Sequence, residues 1–530
     1  MTILNSNLLS KKVMVQLLFC ASIISANSYA QEESKTQSEG VNDAEIVTQY
    51  CGVCHKVPPA YLMPKKFWPR AVRAMANLSE KRMGREFISE EIGTIISNYY
   101  VRNSPQHLPM LPYQPLVPAS RAFEKLDVAK QSALPLVVNA KAIDINLKSV
   151  NELLVSDAEQ NQIILLSHIQ GTWHETILAR VNVPVNTEII DYDRDGDKDI
   201  IVAVLGDFPP SEKLVGEVIL LTQLAPGKFK PTVLLNNVGR ITDARAVDLD
   251  GDKDLDIAVS IFGGGFIGEL AWLENKGNGT HKRHTILKLS GALNATPADI
   301  NNDGKMDLIS LIAQEHEIII AMINKGNGQF QATRLGQAPH PMFGSTSMEL
   351  VDMDNDNDLD LLFTNGDAND LQMDPKPYHG VQWSENKGNL KFTYHDIGRF
   401  YGASKAVAGD LDNDGDIDVV ASSWHNYWED PSRHSLIWFE NNGKQQFTRH
   451  NITNKPRSIV SLELKDVTGD QYLDIIAGVF RMDLMIEKII SARTPSNDPH
   501  AKNSTAGQLK DAVVIFENKK HINKGVSIGD

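Results

Sequence analysis

The sequence predicts a multidomain chain: a small all-α segment followed by an all-β seven-bladed propeller with cation-binding loops. Three observations predict it. An aspartate-rich nine-residue pattern recurs six times between residues 191 and 474. Each copy leads into short apolar runs separated by turn residues, the signature of strands. Before all of them, residues 42–104 space their apolar side chains as helices do. At 530 residues the chain is too long for one compact core.

The N-terminus reads as an export signal. Lys11 and Lys12 form a charged region, Val13 to Ile24 an apolar core, and Ser28-Tyr29-Ala30 a small-residue cleavage site. The apolar run is too short to span a bilayer, so no transmembrane segment is expected once residues 1–30 are removed. Cys20 lies inside that core behind Phe19, a poor lipidation context, and leaves with the signal. The expected location is the periplasm or the cell surface. A net charge of −15 argues against nucleic acid as a partner.

Cys51-Gly52-Val53-Cys54-His55 is a CxxCH motif. Two cysteines at this spacing can add to the two vinyl groups of one porphyrin, and the adjacent histidine is then the proximal iron ligand. No second CxxC completes a zinc site. One covalent haem c is therefore expected on Cys51, Cys54 and His55. Both cysteines of the mature chain are used, so no disulfide is available for stability.

Asn42 or Asp43 can cap a short helix leading into Cys51. Phe67, Trp68, Ala71, Val72 and Met75 give a second helix an apolar face. Ser89 caps a third, with Ile92, Ile95, Ile96 and Tyr99 at helical spacing. Residues 31–104 resemble the small monohaem c-type cytochromes that are fused to propellers in bacterial exported proteins. The likeness implies a methionine sixth ligand in the loop before the last helix, where Met83-Gly84 falls. Met75 is the alternative; Met63 and Met110 are also available. Thioether ligation suits electron transfer. Pro105, Pro109, Pro112, Pro115 and Pro118 then mark a semi-rigid connector over 105–133.

The propeller is expected over 134–530. Its loops carry Asp191, Asp193, Asp195 and Asp199; Asp248, Asp250, Asp252 and Asp256; Asp299, Asn301, Asp303 and Asp307; Asp352, Asp354, Asp356 and Asp360; and Asp410, Asp412, Asp414 and Asp418. A sixth set, Asp466, Thr468, Asp470 and Asp474, has lost one carboxylate, and Asp144 with Asn146 is a trace of a seventh. Starts lie 47 to 58 residues apart, a blade's period. Oxygen ligands at positions 1, 3, 5 and 9 of a tight loop select Ca2+ over softer metals. About five calcium ions are expected.

After each loop comes an apolar strand, a variable loop, and a second strand ending in a turn. The turn reads Trp272-Leu-Glu274-Asn275-Lys-Gly277, Trp383-Ser-Glu385-Asn386-Lys-Gly388 and Trp438-Phe-Glu440-Asn441-Asn-Gly443. Four strands per repeat, seven times, describe a propeller. Loop, strand and turn together resemble FG-GAP/VCBS repeats of the integrin-α kind, and Phe262-Gly263-Gly264-Gly265 is close to the motif that names them. The resemblance implies calcium in the five full loops by position, and no activity.

Loops between the second and third strands lie on the face away from the aspartate loops. They carry Asp207, His316, Asp367, Tyr378, His379, His425, Arg433 and Arg481, a possible ligand rim suited to a sugar or another polar molecule. No catalytic triad can be read from them. The favoured function is an exported haem-c electron carrier whose propeller binds a ligand or docks a redox partner. The alternatives are a calcium-dependent glycan- or protein-binding module with an accessory haem, and a propeller lyase or hydrolase acting on sugars.

Overall fold

The computed structural model describes residues 42–114, 117, 119–126, 128, 130–143, 152–208, 211–368, 374–485 and 509–520. The expected signal peptide, the trace loop at Asp144 and Asn146, and most of the insertion after Met485 lie outside the described residues.

Three α-helices come first. Helix α1, Asp43–Cys51, starts where the Asn42 carboxamide accepts the Ala44 N–H at 3.2 Å. Helix α2, Trp68–Met83, stops at Gly84, whose left-handed φ of 67° no side chain tolerates well. Helix α3, Glu90–Asn103, is capped by the Ser89 hydroxyl accepting the Ile92 N–H at 3.3 Å. Their shared core gathers Ile46, Val47, Met63, Trp68, Val72, Ile96 and Tyr100. Trp68 stacks flat on Tyr100 with centroids 3.8 Å apart. Each ring's polar tip finds a carbonyl: the Trp68 indole donates to Met63 at 3.1 Å and the Tyr100 hydroxyl to Pro58 at 3.0 Å.

Seven four-stranded antiparallel sheets follow. Their second strands are Glu152–Asp157, Asp199–Val204, Asp256–Ile261, Asp307–Ile312, Asp360–Asn365, Asp418–Ser423 and Asp474–Val479, buried at every residue. A blade's inner strands are covered by neighbouring blades on both faces, so they read as continuous apolar runs. The fourth strands at the perimeter, such as Thr172–Arg180, are mostly exposed.

The ring is closed by the strand that follows the connector. Strand Arg121–Leu126 pairs with Val513–Lys520 as the outermost strand of the seventh blade. Gln131–Ser132 adds a second, short pairing to Lys510–Asp511. The connector expected over 105–133 is thus shorter, because its second half is propeller. A blade closed by both ends of the chain ties the ring without a disulfide.

The first strands of the blades surround the axis. Lys141, Glu188, Arg245, Glu349, Lys405 and Glu463 interact there as a ring of mixed charge. Glu188 accepts the Ala246 N–H and Glu463 the Ala142 N–H, each from the adjacent blade and at 2.5 Å. Burial and the neighbouring cations Arg245 and Lys405 pull the Lys141 ammonium down to about 7.

Candidate functional site

Beside the CxxCH motif lies a largely apolar cavity of about 610 Å³. Cys51, Cys54 and His55 form part of its wall, with Trp68, Val72, Phe87 and Ile96 among the apolar lining. Both cysteines are free. Burial pushes the Cys51 thiol up to about 11. The His55 ring donates from Nδ1 to the Lys56 carbonyl at 2.8 Å, which leaves the Nε2 lone pair available to a metal. Arg70 and Arg82 supply cationic groups at the cavity wall for carboxylates. Thiols, imidazole, apolar lining and volume all fit one porphyrin.

The methionines sort by position. Met75 on α2 lines the cavity and is 45% exposed. Met63 also lines it, but is fully packed in the helical core. Met83 falls in the last turn of α2, before the loop that was expected to hold it, and does not line the cavity. From α2, Ala71, Met75, Leu78 and Arg82 lie along the cavity wall, and Met83, one residue past Arg82, falls to the side of that line.

The propeller completes the cavity. Glu315, Pro341 and Met342 line it from loops of the fourth blade and the passage to the fifth. Arg82 of α2 makes an ion pair with Glu315 and donates to the Gly265 carbonyl. Lys56 donates to the Ala338 carbonyl at 2.9 Å. Against the push of burial, Arg82 holds the Glu315 carboxyl below the usual carboxylate range. Burial, then the Lys56 ammonium, pulls His340 down to about 4. The helical unit therefore sits on the propeller face that was expected to be an open rim.

The aspartate loops lie on the other face. Ligand atoms of Asp191, Asp193 and Asp195 lie within 4.8 Å of one another, as do those of Asp248, Asp250 and Asp256, of Asp352, Asp354 and Asp356, and of Asp410, Asp412 and Asp418. Asp191, Asp354 and Asp412 each keep a buried carboxylate oxygen with no hydrogen-bond partner. Burial and the acids around it raise Asp354 to about 6. In each of these three loops one orphaned oxygen sits among neighbouring carboxylates, a donor set that a hard cation would satisfy. Positions four and six of the loops adopt left-handed φ, as at Arg194 (62°) and Gly196 (95°). In the third loop Asp299, Asn301 and Asp303 accept backbone N–H groups from their own turn.

Position nine has a second role. Asp360 accepts the Met353 N–H at 3.0 Å and the Asn386 N–H at 2.7 Å, one oxygen each. Asp199, Asp256 and Asp418 repeat the pattern. So does Asp474 of the degenerate sixth loop. This carboxylate ties the loop to the turn that ends the third strand, through the turn asparagine in most blades and through Gln223 in the second, and it persists where the other ligands fade.

A histidine pairing in the same turns escaped the sequence reading. Glu274 bonds His284 at 2.8 Å, Glu385 bonds His395 at 3.0 Å, and Glu440 bonds His450 at 2.6 Å. Each imidazole also lies against the tryptophan of its turn, Trp272, Trp383 or Trp438. The signal was available: a histidine stands ten residues after each glutamate.

The expected rim residues are not gathered into one pocket. His316 lies beside the cavity and close to Glu315. Tyr378 lines a separate groove in the seam between the two units. His379 is fully buried, and its Nδ1 accepts the Lys376 and Gly402 N–H groups, a structural role. Arg433 pairs with Asp430 and donates to the connector carbonyl of Leu111. Asp207 pairs with Lys213, and Arg481 with Asp483. Asp367 packs by its backbone against Gly344. His425 sits in the corresponding loop of the sixth blade.

The model of the FG-GAP-like repeat matches residues 191–259, from the first full aspartate loop into the second strand of the next blade. No curated protein matches the chain. Among solved structures, similarity is found to a crystal structure of BBS1N in complex with ARL6DN, soaked with mercury. The identity is 9% over 75% of this chain and 98% of that chain, with a TM-score of 0.43. By its own topology the chain is a seven-bladed β-propeller, and it bears an FG-GAP-like repeat. Among the described residues, no helix is long and apolar enough to cross a membrane.

Proposed function

We propose that the chain is an exported haem-c electron carrier whose calcium-loaded propeller binds a polar ligand or docks a redox partner. The observation that carries this reading is the cavity of about 610 Å³ with Cys51, Cys54 and His55 on its wall. A haem bound there supplies one-electron transfer. Cys51 and Cys54 would hold it covalently, and the Nδ1 bond from His55 to the Lys56 carbonyl leaves Nε2 free to ligate its iron. Met75, which lines the cavity, is the distal ligand in preference to Met83. Calcium fills the five full aspartate loops and keeps the opposite face rigid. The propeller wall of Glu315, Pro341 and Met342 favours coupling between the two units over a haem that is a mere appendage.

Expression in a host that attaches haem to exported proteins tests the reading. A denaturing gel stained for haem peroxidase activity should show a band at full chain length, absent in Cys51→Ala. Purification of a folded propeller that carries no haem under those conditions would overturn it.

A further inference from the structure

The seam between the helical unit and the propeller holds a second, open groove of about 680 Å³. That size falls within the roughly 300–1,000 Å³ of small-molecule clefts. Tyr61 and Arg102 come from the helical unit; Tyr378 and Arg399 come from the propeller. Pro105, Pro109 and Pro377 add rigid wall. Tyr61 is 64% exposed, an aromatic face with nothing over it. In a chain of net charge −15, two guanidiniums at one open groove stand out.

Each guanidinium has one carboxylate partner, Asp43 for Arg102 and Asp396 for Arg399. A guanidinium has five donors, so each keeps N–H groups for a ligand. Beneath Arg399 the cationic character deepens. The half-buried Arg449 donates to the Arg399 carbonyl and to Asn451 and lies over the Phe400 ring, with no carboxylate bonded to it among the described residues. Burial, and then Arg433, pull Arg449 down to about 10. The Tyr378 hydroxyl, in turn, donates at 2.9 Å to the carbonyl of Met342, whose side chain lines the CxxCH cavity.

We propose that this groove binds a carboxylate-bearing saccharide. Planar guanidinium forks suit a carboxylate, and the exposed Tyr61 face suits the C–H face of a pyranose. The groove thereby names a ligand class for the propeller reading above, but its binding needs no haem, so the two can fail separately.

The test is calorimetric titration of the full chain with a galacturonic acid hexamer, beside a neutral glucose hexamer. The acidic hexamer should bind and the neutral one should bind at least about tenfold more weakly. Arg399→Ala and Arg102→Ala should each weaken acidic binding by about tenfold or more, and Arg399→Lys should not restore it. Arg102 lies in the helical unit, so its variant serves if Arg399→Ala misfolds. Chelator, at a temperature where the propeller stays folded, should leave the binding intact; loss in a folded, metal-free chain would assign it to the aspartate loops and sink the proposal. So would equal affinity for both hexamers, or no binding by a chain that stains for haem.

Discussion

Arg82 of the second helix pairs with Glu315 of the fourth blade, so one wall of the CxxCH cavity belongs to each folding unit. Neither side chain is more than 25% exposed. A partly desolvated pair is screened less than a surface one, and its loss leaves a charge facing apolar lining. The cavity beside the CxxCH motif is therefore built by docking as well as by the helices themselves.

Met75 lines the CxxCH cavity and Met83 does not, so Met75 is the methionine expected to ligate a haem bound there. Met75→Ala should abolish the thioether-to-iron charge-transfer band and lower the haem potential. Met83→Ala should leave both unchanged. Absorbance in the near infrared and a redox titration decide between them, and the reverse result would return Met83 to the iron.

Calcium should contribute strongly to propeller stability. An ion bound only by the folded state adds about 2.7 kcal/mol per site at a hundredfold excess over its dissociation constant. Chelator should lower the calorimetric transition of the propeller, and Asp195→Ala should cost more than Asp470→Ala. An unchanged transition after verified metal removal would refute calcium in these loops.

Position nine separates ligation from scaffolding. Asp360→Ala orphans the buried N–H groups of Met353 and Asn386. It should cost on the order of 2–6 kcal/mol, since each of the two orphaned donors costs about 1–3 kcal/mol. The loss should appear in calcium and in chelator alike. Asp356→Ala, at position five, should be costly only with calcium present. Urea unfolding of the two variants in both buffers makes the comparison.

Ring closure rests on a few contacts. Arg121 donates to the Asn518 side chain at 2.7 Å and to its carbonyl at 3.0 Å, and stacks on Tyr472 at 3.7 Å. Arg121→Ala should cost about 1–3 kcal/mol. Hydrogen exchange should quicken first in the strands Arg121–Leu126 and Val513–Lys520. Uniform loss of protection around the ring would contradict this order.

The seam should weaken in acid. His340 is pulled to about 4 by burial and then by Lys56, below its ordinary 6.5. The unfolded chain thus binds a proton more readily, so stability is present above pH 6.5 and lost as pH falls toward 4, by up to about 3 kcal/mol. His316, His379 and His434 are lowered by burial in the same direction. Subtracting the urea profile of His340→Gln from that of the native chain isolates the one residue. Parallel profiles would remove it from the acid response.

The sequence by itself determined what repeats or lies close along the chain. The aspartate loops, the buried second strands and the Glu-Asn-x-Gly turns were legible because each is a local pattern recurring at one period. The helix caps at Asn42 and Ser89 were legible for the same reason, since a cap acts over three residues. The tertiary structure alone decided what meets across the chain. Strand Arg121–Leu126 reads as connector until Val513–Lys520 offers it an edge almost four hundred residues later. Met75 rather than Met83 lines the cavity because the helix runs on through Arg82, which takes the last wall position. His379 looked like a ligand and is core, since a polar ring gives no sign in sequence of which way it points. The charges of Lys141, Glu188 and Glu463 look like surface until seven first strands turn them toward one axis. Side-chain direction is set by packing, and packing depends on neighbours that the local sequence does not contain.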